Sequence, residues 1–269
     1  MIKIHIVALL LISSIATFTQ DENIDYREVR QDSIFIANTI SILKKDPANI
    51  TMVTAQNNRQ EKQNLGYGYT LSSVGTGRGN AIFDYTLITY KGKLVGYQLI
   101  PRLPYDQRLA NKYRGFYSRF FYIRGTDQIE PYQFNYASVA KPVNAFKTTT
   151  ADKYFRYLMT PYSGTIYGGR GGYNGRLLTN RELFEKVKKN INPAAFEELL
   201  YSINPATRLL GIEYYHQKGR FILPNKASIE KRIDEIFKEM QSINTMDGCL
   251  LRTQNSRDLV AYYAANPVH

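Results

Sequence analysis

The sequence predicts an α+β protein: an N-terminal helix and a tyrosine-rich antiparallel sheet, followed by a C-terminal cluster of short helices. Three observations predict it. Apolar residues recur at helical spacing near the start and again after about residue 150, while between them apolar and polar residues alternate in short runs. Those runs are joined by short turns, which antiparallel strands allow and parallel strands do not. Tyrosine is abundant, 22 of 269 residues, alongside 13 phenylalanines and no tryptophan. A ring with a polar tip suits strands that keep one face wet.

The chain opens MIKIHIVALLLISSIATFTQDEN. Lys3, an apolar run through Ile12, and the small-x-small pattern of Ser14, Ile15 and Ala16 have the layout of a secretory signal peptide over 1–16. The run is short for a membrane span, and no later segment is apolar enough to cross a bilayer. The expectation is an exported protein of the periplasm, the outer membrane surface or the extracellular space. A single cysteine, Cys249, allows no internal disulfide, which fits a bacterial envelope. Its setting, DGCLL, reads as that of a buried structural thiol.

The mature chain divides by composition into a β-rich part, 17–165, and an α-helical part, 166–269, which can share one core. In the first, QDSIFIANTISILKK places Ile36, Ile40 and Leu43 on one helical stripe that ends at Asp46 and Pro47. Strands follow in GYGYTLSSV, AIFDYTLITY and LVGYQLIP, with a hairpin turn at Lys91, Gly92 and Lys93, and a further turn at the glycines 75, 77 and 79 with Asn80. RGFYSRFFYIRG reads as another strand, with Phe116, Phe120 and Tyr122 on one face, and YQFNYASVA as a further one. From about Thr150 the period lengthens, and TADKYFRYLM is a short helix ended by Pro161. A capping box of Thr179 and Glu182 opens the next. Asn192 with Pro193, and Asn204 with Pro205, cap and start two more, and Gly219 is placed to close the second of these. KASIEKRIDEIFKEM aligns Ile229, Ile233, Ile236, Phe237 and Met240, and SRDLVAYYA gives a last short helix.

Much chemistry is excluded by inventory. The three histidines are His5, His216 and His269, so one cysteine and one well-placed histidine assemble no zinc site of the usual kind. His216, at the end of a predicted helix, suits the negative end of the helix dipole. No G-x-S-x-G elbow, phosphate-binding loop or G-x-G-x-x-G fingerprint occurs, so no cofactor is expected. Paired-carboxylate chemistry has sparse candidates in the β-rich part: Asp84, Asp106, Asp127 and Glu130, with mid-strand Asp84 the foremost catalytic candidate.

The net charge of +12 is spread along both parts. Residues 90–124 concentrate it: Lys91, Lys93, Arg102, Arg108, Lys112, Arg114, Arg119 and Arg124 against Asp106 alone, interleaved with six tyrosines and three phenylalanines. Cations beside rings are the footprint of a binder of anionic polymers. The candidate binding set is Lys91, Lys93, Arg102, Arg114, Tyr117, Arg119 and Arg124, carried on a basic aromatic sheet face. The partner expected is an anionic glycan, a lipid headgroup or an envelope protein; the leader argues against nucleic acid. The segment YGGRGGYNGR, which has the letters of an RNA-binding RGG tract, occurs once between predicted helices and reads instead as a structured loop. The competing reading is a hydrolase of cell-wall or glycan material built on Asp84. A third is a structural role in which the helices offer a groove to another protein.

Two resemblances accompany these readings. NPATRLLGIEYY is similar to the second half of a HEAT-type helical repeat. In its Tyr, Asn and Lys richness and its C-terminal pattern, the chain resembles uncharacterised exported proteins of Bacteroidota-type bacteria, which implies an envelope location and no activity.

Overall fold

A computed structural model describes residues 26–50, 61–124, 128–143, 152–217 and 225–268. The leader over 1–16, Asp127 and the helix-closing role of Gly219 lie outside them. The architecture is α+β: an N-terminal helix, a five-stranded antiparallel sheet with many tyrosines, and C-terminal helices. The chain forms two compact units. One holds the chain up to Asn49 with Gly77–Phe83 and Pro101–Glu130; the other holds Ile50–Thr76, Asp84–Ile100 and Pro131–His269.

In the first unit, helix α1 (Tyr26–Lys45) buries Val29, Ile36, Ile40 and Leu43, the spacing of one helical stripe. Each such side chain contributes roughly 1.5–3 kcal/mol when fully buried. Asp32 lies on the same buried side, where its carboxylate accepts the Asn80 N–H at 2.9 Å and the Tyr113 hydroxyl. It thereby holds the turn at Gly79 and Asn80, which joins β2 (Tyr69–Arg78) to β3 (Ala81–Tyr90).

Of the strand expected over RGFYSRFFYIRG, residues 114–117 instead end a helix, and only Ile123–Arg124 is extended as a strand. Helix α2 (Gln107–Tyr117) is capped by Asp106, whose carboxylate accepts the N–H groups of Arg108 and Leu109 at 2.9 Å each. Ala110, Tyr113 and Tyr117 face inward at steps of three and four, and this period outweighs the alternation of Phe116, Phe120 and Tyr122. Phe83 packs its ring against Phe35, Tyr117 and Phe121. A two-residue pair, Ile123–Arg124 with Gln128–Ile129 (β5 and β6), closes the segment.

The sheet runs β1-β2-β3-β4-β7, where β1 is Glu61–Gly66, β4 is Lys93–Arg102 and β7 is Tyr132–Phe134. Within β3, Phe83, Tyr85 and Leu87 are buried while Asp84 and Thr86 are half-buried, as the alternation requires. Lys91 and Gly92 both take positive φ, 47° and 79°, the pattern of a tight hairpin turn. After β7 comes a single helical turn, α3 (Tyr136–Val139).

The helices of the second unit are α4 (Lys153–Leu158), α5 (Thr179–Val187), α6 (Pro193–Leu200), α7 (Pro205–Gln217), α8 (Lys226–Glu239) and α9 (Ser256–Ala265). They share one core that includes Phe155, Phe184, Phe196, Leu210 and Ile236, and the predicted stripe of α8 is buried throughout. Asn192 caps α6 through the Ala195 N–H at 2.9 Å. Asn204 accepts the Ala206 N–H at 3.0 Å, and its amide also donates to the Thr160 and Gly164 carbonyls and the Ser163 hydroxyl. The capping box of Thr179 and Glu182 does not form: α5 starts at Thr179 without a side-chain cap, and Glu182 pairs with Lys186 at 2.6 Å.

Two small hairpins complete the unit. Arg170–Gly171 pairs with Arg176–Leu177 (β8 and β9), so the glycine-rich segment is a structured hairpin. Ser242–Asp247 pairs with Leu250–Asn255 (β10 and β11) in a region read from sequence without strands. Its turn carries Gly248 at φ 56° and places Cys249 in the open, so the thiol is exposed rather than buried.

Candidate anion-binding surface and sheet-face cleft

The residues of the basic segment do not form one sheet face. Lys91 and Lys93 belong to the β3–β4 turn in the second unit, and the Lys91 ammonium stands 5.2 Å from the Tyr90 ring centre. Arg102 ends the same strand that Lys93 begins. Arg114 is on α2, where it donates to the Asn111 side chain at 2.6 Å. Arg119 follows the helix and lies 5.8 Å from the Phe116 ring centre. Arg124 is exposed in β5. Tyr117 is fully buried, packed edge-on to Phe83 and Phe121, which removes it from any binding surface.

What the fold does assemble is a basic helical surface on the first unit. Arg108 is exposed on the first turn of α2 and Arg119 just beyond its end, with Arg114 half-exposed between them, whereas the Lys112 ammonium is buried. Eleven Lys and Arg of this unit face five Asp and Glu among the described residues. Two of those acids are committed internally, Asp32 to Asn80 and Tyr113, and Asp106 to the α2 cap. Lys44 at the end of α1 stands 5.8 Å from the Phe120 ring centre, which brings the α1 lysines to the exit of α2. Sequence reading missed Lys44 and Lys45 because more than 60 residues separate them from α2. It also passed over Tyr105 and Tyr122, which are openly exposed in this unit.

Asp84 borders a different feature. On β3 it shares a face with Thr86, and its carboxylate lies across from Gly75 of β2. Thr86 lines a cleft of about 400 Å³ between this sheet face and residues 161–166 and 178–180. The lining is neutral: the hydroxyls of Ser73, Thr86, Thr165 and Thr179, the amides of Gln98 and Asn180, and an apolar floor of Leu71 and Ile100. Tyr162 also lines it with a buried hydroxyl that has no hydrogen-bond partner among the described residues, and burial pushes its pKa up. No carboxylate is among the residues that line the cleft, Asp84 included, so it offers no acid–base pair for hydrolysis.

The other buried ionic groups are structural in form. Arg181 and Glu213, both nearly inaccessible, make two bonds of 2.6 Å, and the Tyr167 hydroxyl donates to the same carboxylate at 2.7 Å. Burial, and then the Glu213 charge, raise the Tyr167 pKa well above its ordinary value. Burial works against the Arg181 charge, but the bonds to Glu213 prevail and its pKa is raised. Arg208 is wholly buried, donates to the Leu65 and Ser202 carbonyls, and has its pKa lowered to about 10 by burial. It and Arg232 flank the Tyr67 ring at 4.7 and 4.8 Å, holding this tyrosine at a positive φ of 54°. His216 is exposed in the last turn of α7.

Among the described residues no group of three or more His, Cys, Asp and Glu is placed to hold a metal, and no helix is long and apolar enough to cross a membrane. No family model matches the chain, and neither a curated protein nor a solved structure matches it.

Proposed function

We propose that this is an exported, non-catalytic envelope or surface protein that binds an anionic partner through the basic helical surface of its first unit. Export is read from the leader sequence. The observation that carries the binding reading is the charge of that unit: eleven cations against five acids, two of the acids being taken up by internal bonds. A helix capped by Asp106 presents Arg108 to solvent and buries Tyr113 and Tyr117 on its other side. Guanidinium groups suit phosphate, sulfate and carboxylate oxygens through paired hydrogen bonds.

The test is a binding screen against an acidic glycan, anionic vesicles and nucleic acid at two salt concentrations. Arg108→Glu, Arg119→Glu and Arg124→Glu, combined, are expected to abolish binding while circular dichroism stays unchanged. Binding that survives all three reversals overturns the reading. The second reading, a hydrolase using Asp84, has a sheet-face cleft nearby on the same strand, but no acid lines that cleft where the chemistry needs two. Turnover of a glycan that is lost in Asp84→Asn would favour it.

A further inference from the structure

The segment YGGRGGYNGR has a use that its letters alone do not reveal. In the second unit, the β8–β9 and β10–β11 hairpins are locked side by side at their tips. The Gly172 N–H donates to the Gly248 carbonyl at 2.8 Å. Gly171 lies so close to Met246 of β10 that a Cβ there would overlap the thioether. This close approach, and not flexibility, is what requires glycine at 171.

The paired tips carry apolar side chains outward. Tyr173 is 96% exposed, Leu250 60% and Leu251 57%. Around them stand Arg170, Arg176 and Arg252, all exposed, with one acid, Asp247, 3.4 Å from Arg252. The tip is convex: a Cβ at Gly172, Gly175 or Gly248 would meet nothing within 4 Å. Exposed leucines on a small hairpin are unfavourable in water and gain nothing from packing within the chain. A convex tip that joins leucine and tyrosine to arginine matches a lipid interface. There the acyl boundary takes the aliphatic groups, the headgroup layer takes the tyrosine ring, and phosphates take the guanidiniums.

We propose that the paired tips dock on an anionic lipid surface, with Tyr173, Leu250 and Leu251 entering the interface and Arg170, Arg176 and Arg252 meeting lipid phosphates. The inference does not rest on the basic helix α2, which belongs to the other unit.

Cys249 makes the test direct, because it is the chain's only cysteine and sits exposed at the tip. A polarity-sensitive fluorophore on Cys249 of the full chain is mixed with phosphatidylglycerol-containing vesicles or with pure phosphatidylcholine vesicles. A blue-shifted, brighter emission is expected with the anionic vesicles alone, together with quenching by a lipid-borne quencher. Tyr173→Ser with Leu251→Ser should weaken vesicle affinity by about tenfold or more, and Arg170→Gln or Arg176→Gln by about fivefold each. All four positions are exposed or at the surface of the hairpins, so circular dichroism should not change. Vesicle binding that leaves the label in water would place the contact elsewhere, on α2 for example, and overturn the proposal. A shift that appears with rising protein concentration and no vesicles would also overturn it, by assigning the tip and the exposed strand β11 to a second copy of the chain.

Discussion

Arg181 illustrates how single residues govern stability here. Its guanidinium and the Glu213 carboxylate are almost inaccessible, and each answers the other's charge with two bonds. Arg181→Met leaves Glu213 charged and unpaired in the core, and should cost about 3–5 kcal/mol in urea denaturation. Replacing both partners with apolar residues should cost far less than the two single changes added together. A small, additive loss would mean that the pair is exposed to water in solution. None of this was legible from sequence. Arg181 and Glu213 are 32 residues apart, and no local pattern announces that two charged side chains will be buried together. Asn204 was legible in part. The Asn-Pro opening predicts a cap, and the cap forms, but the three further bonds of its amide depend on where residues 160–164 fold.

At the scale of elements, legibility followed the strength of the local signal. The alternation in β3, the turn at Lys91 and Gly92, and the stripe of α8 are each set by their own side chains and were readable. The end of helix α2 was misread because the segment carries two periods at once: Phe116, with Phe120 and Tyr122 beyond the helix, alternates, while Ala110, Tyr113 and Tyr117 keep helical steps. Asp106, considered as one of four candidate catalytic acids, is the deciding signal, since its carboxylate caps the helix. Asp106→Ala should therefore destabilise the first unit by about 1 kcal/mol and lower helical dichroism, whereas a strand would be indifferent to the change. The β10–β11 hairpin was missed although Asp247 and Gly248 are a hairpin-turn pair. The leucines beside them suggested a buried setting that the fold does not supply, and Cys249 was misplaced with them. The basic segment was found, but as a sheet face; once α2 is a helix, Tyr117 turns inward and the cations regroup with those of α1.

For the molecule as a whole, tyrosine serves core and surface alike: among the described residues Tyr85, Tyr97, Tyr113, Tyr117, Tyr167 and Tyr215 are buried, while Tyr90, Tyr105, Tyr122, Tyr154, Tyr173 and Tyr262 are exposed. Burial pushes up the pKa of Tyr97, Tyr113, Tyr117 and Tyr162, and that of Tyr136 to about 12. A raised value in the folded state means that the native protein keeps a proton that the unfolded chain loses near pH 10. This contribution is intact below about pH 10 and is lost as pH rises through the folded-state values. Tyrosinate absorbance for these residues should therefore rise together with the loss of circular dichroism in an alkaline titration; independent titration of the folded protein near pH 10 would contradict their burial. The charge of the first unit leads to the central claim, that an anionic partner is bound through α2 and its surroundings. The measurement that tests it most directly is the slope of log affinity against log salt for the tightest anionic ligand, compared between the native chain and the variant carrying Arg108→Gln, Arg119→Gln and Arg124→Gln. The basic surface predicts a slope shallower by about one for each cation removed. An identical slope in the two proteins would place the binding elsewhere.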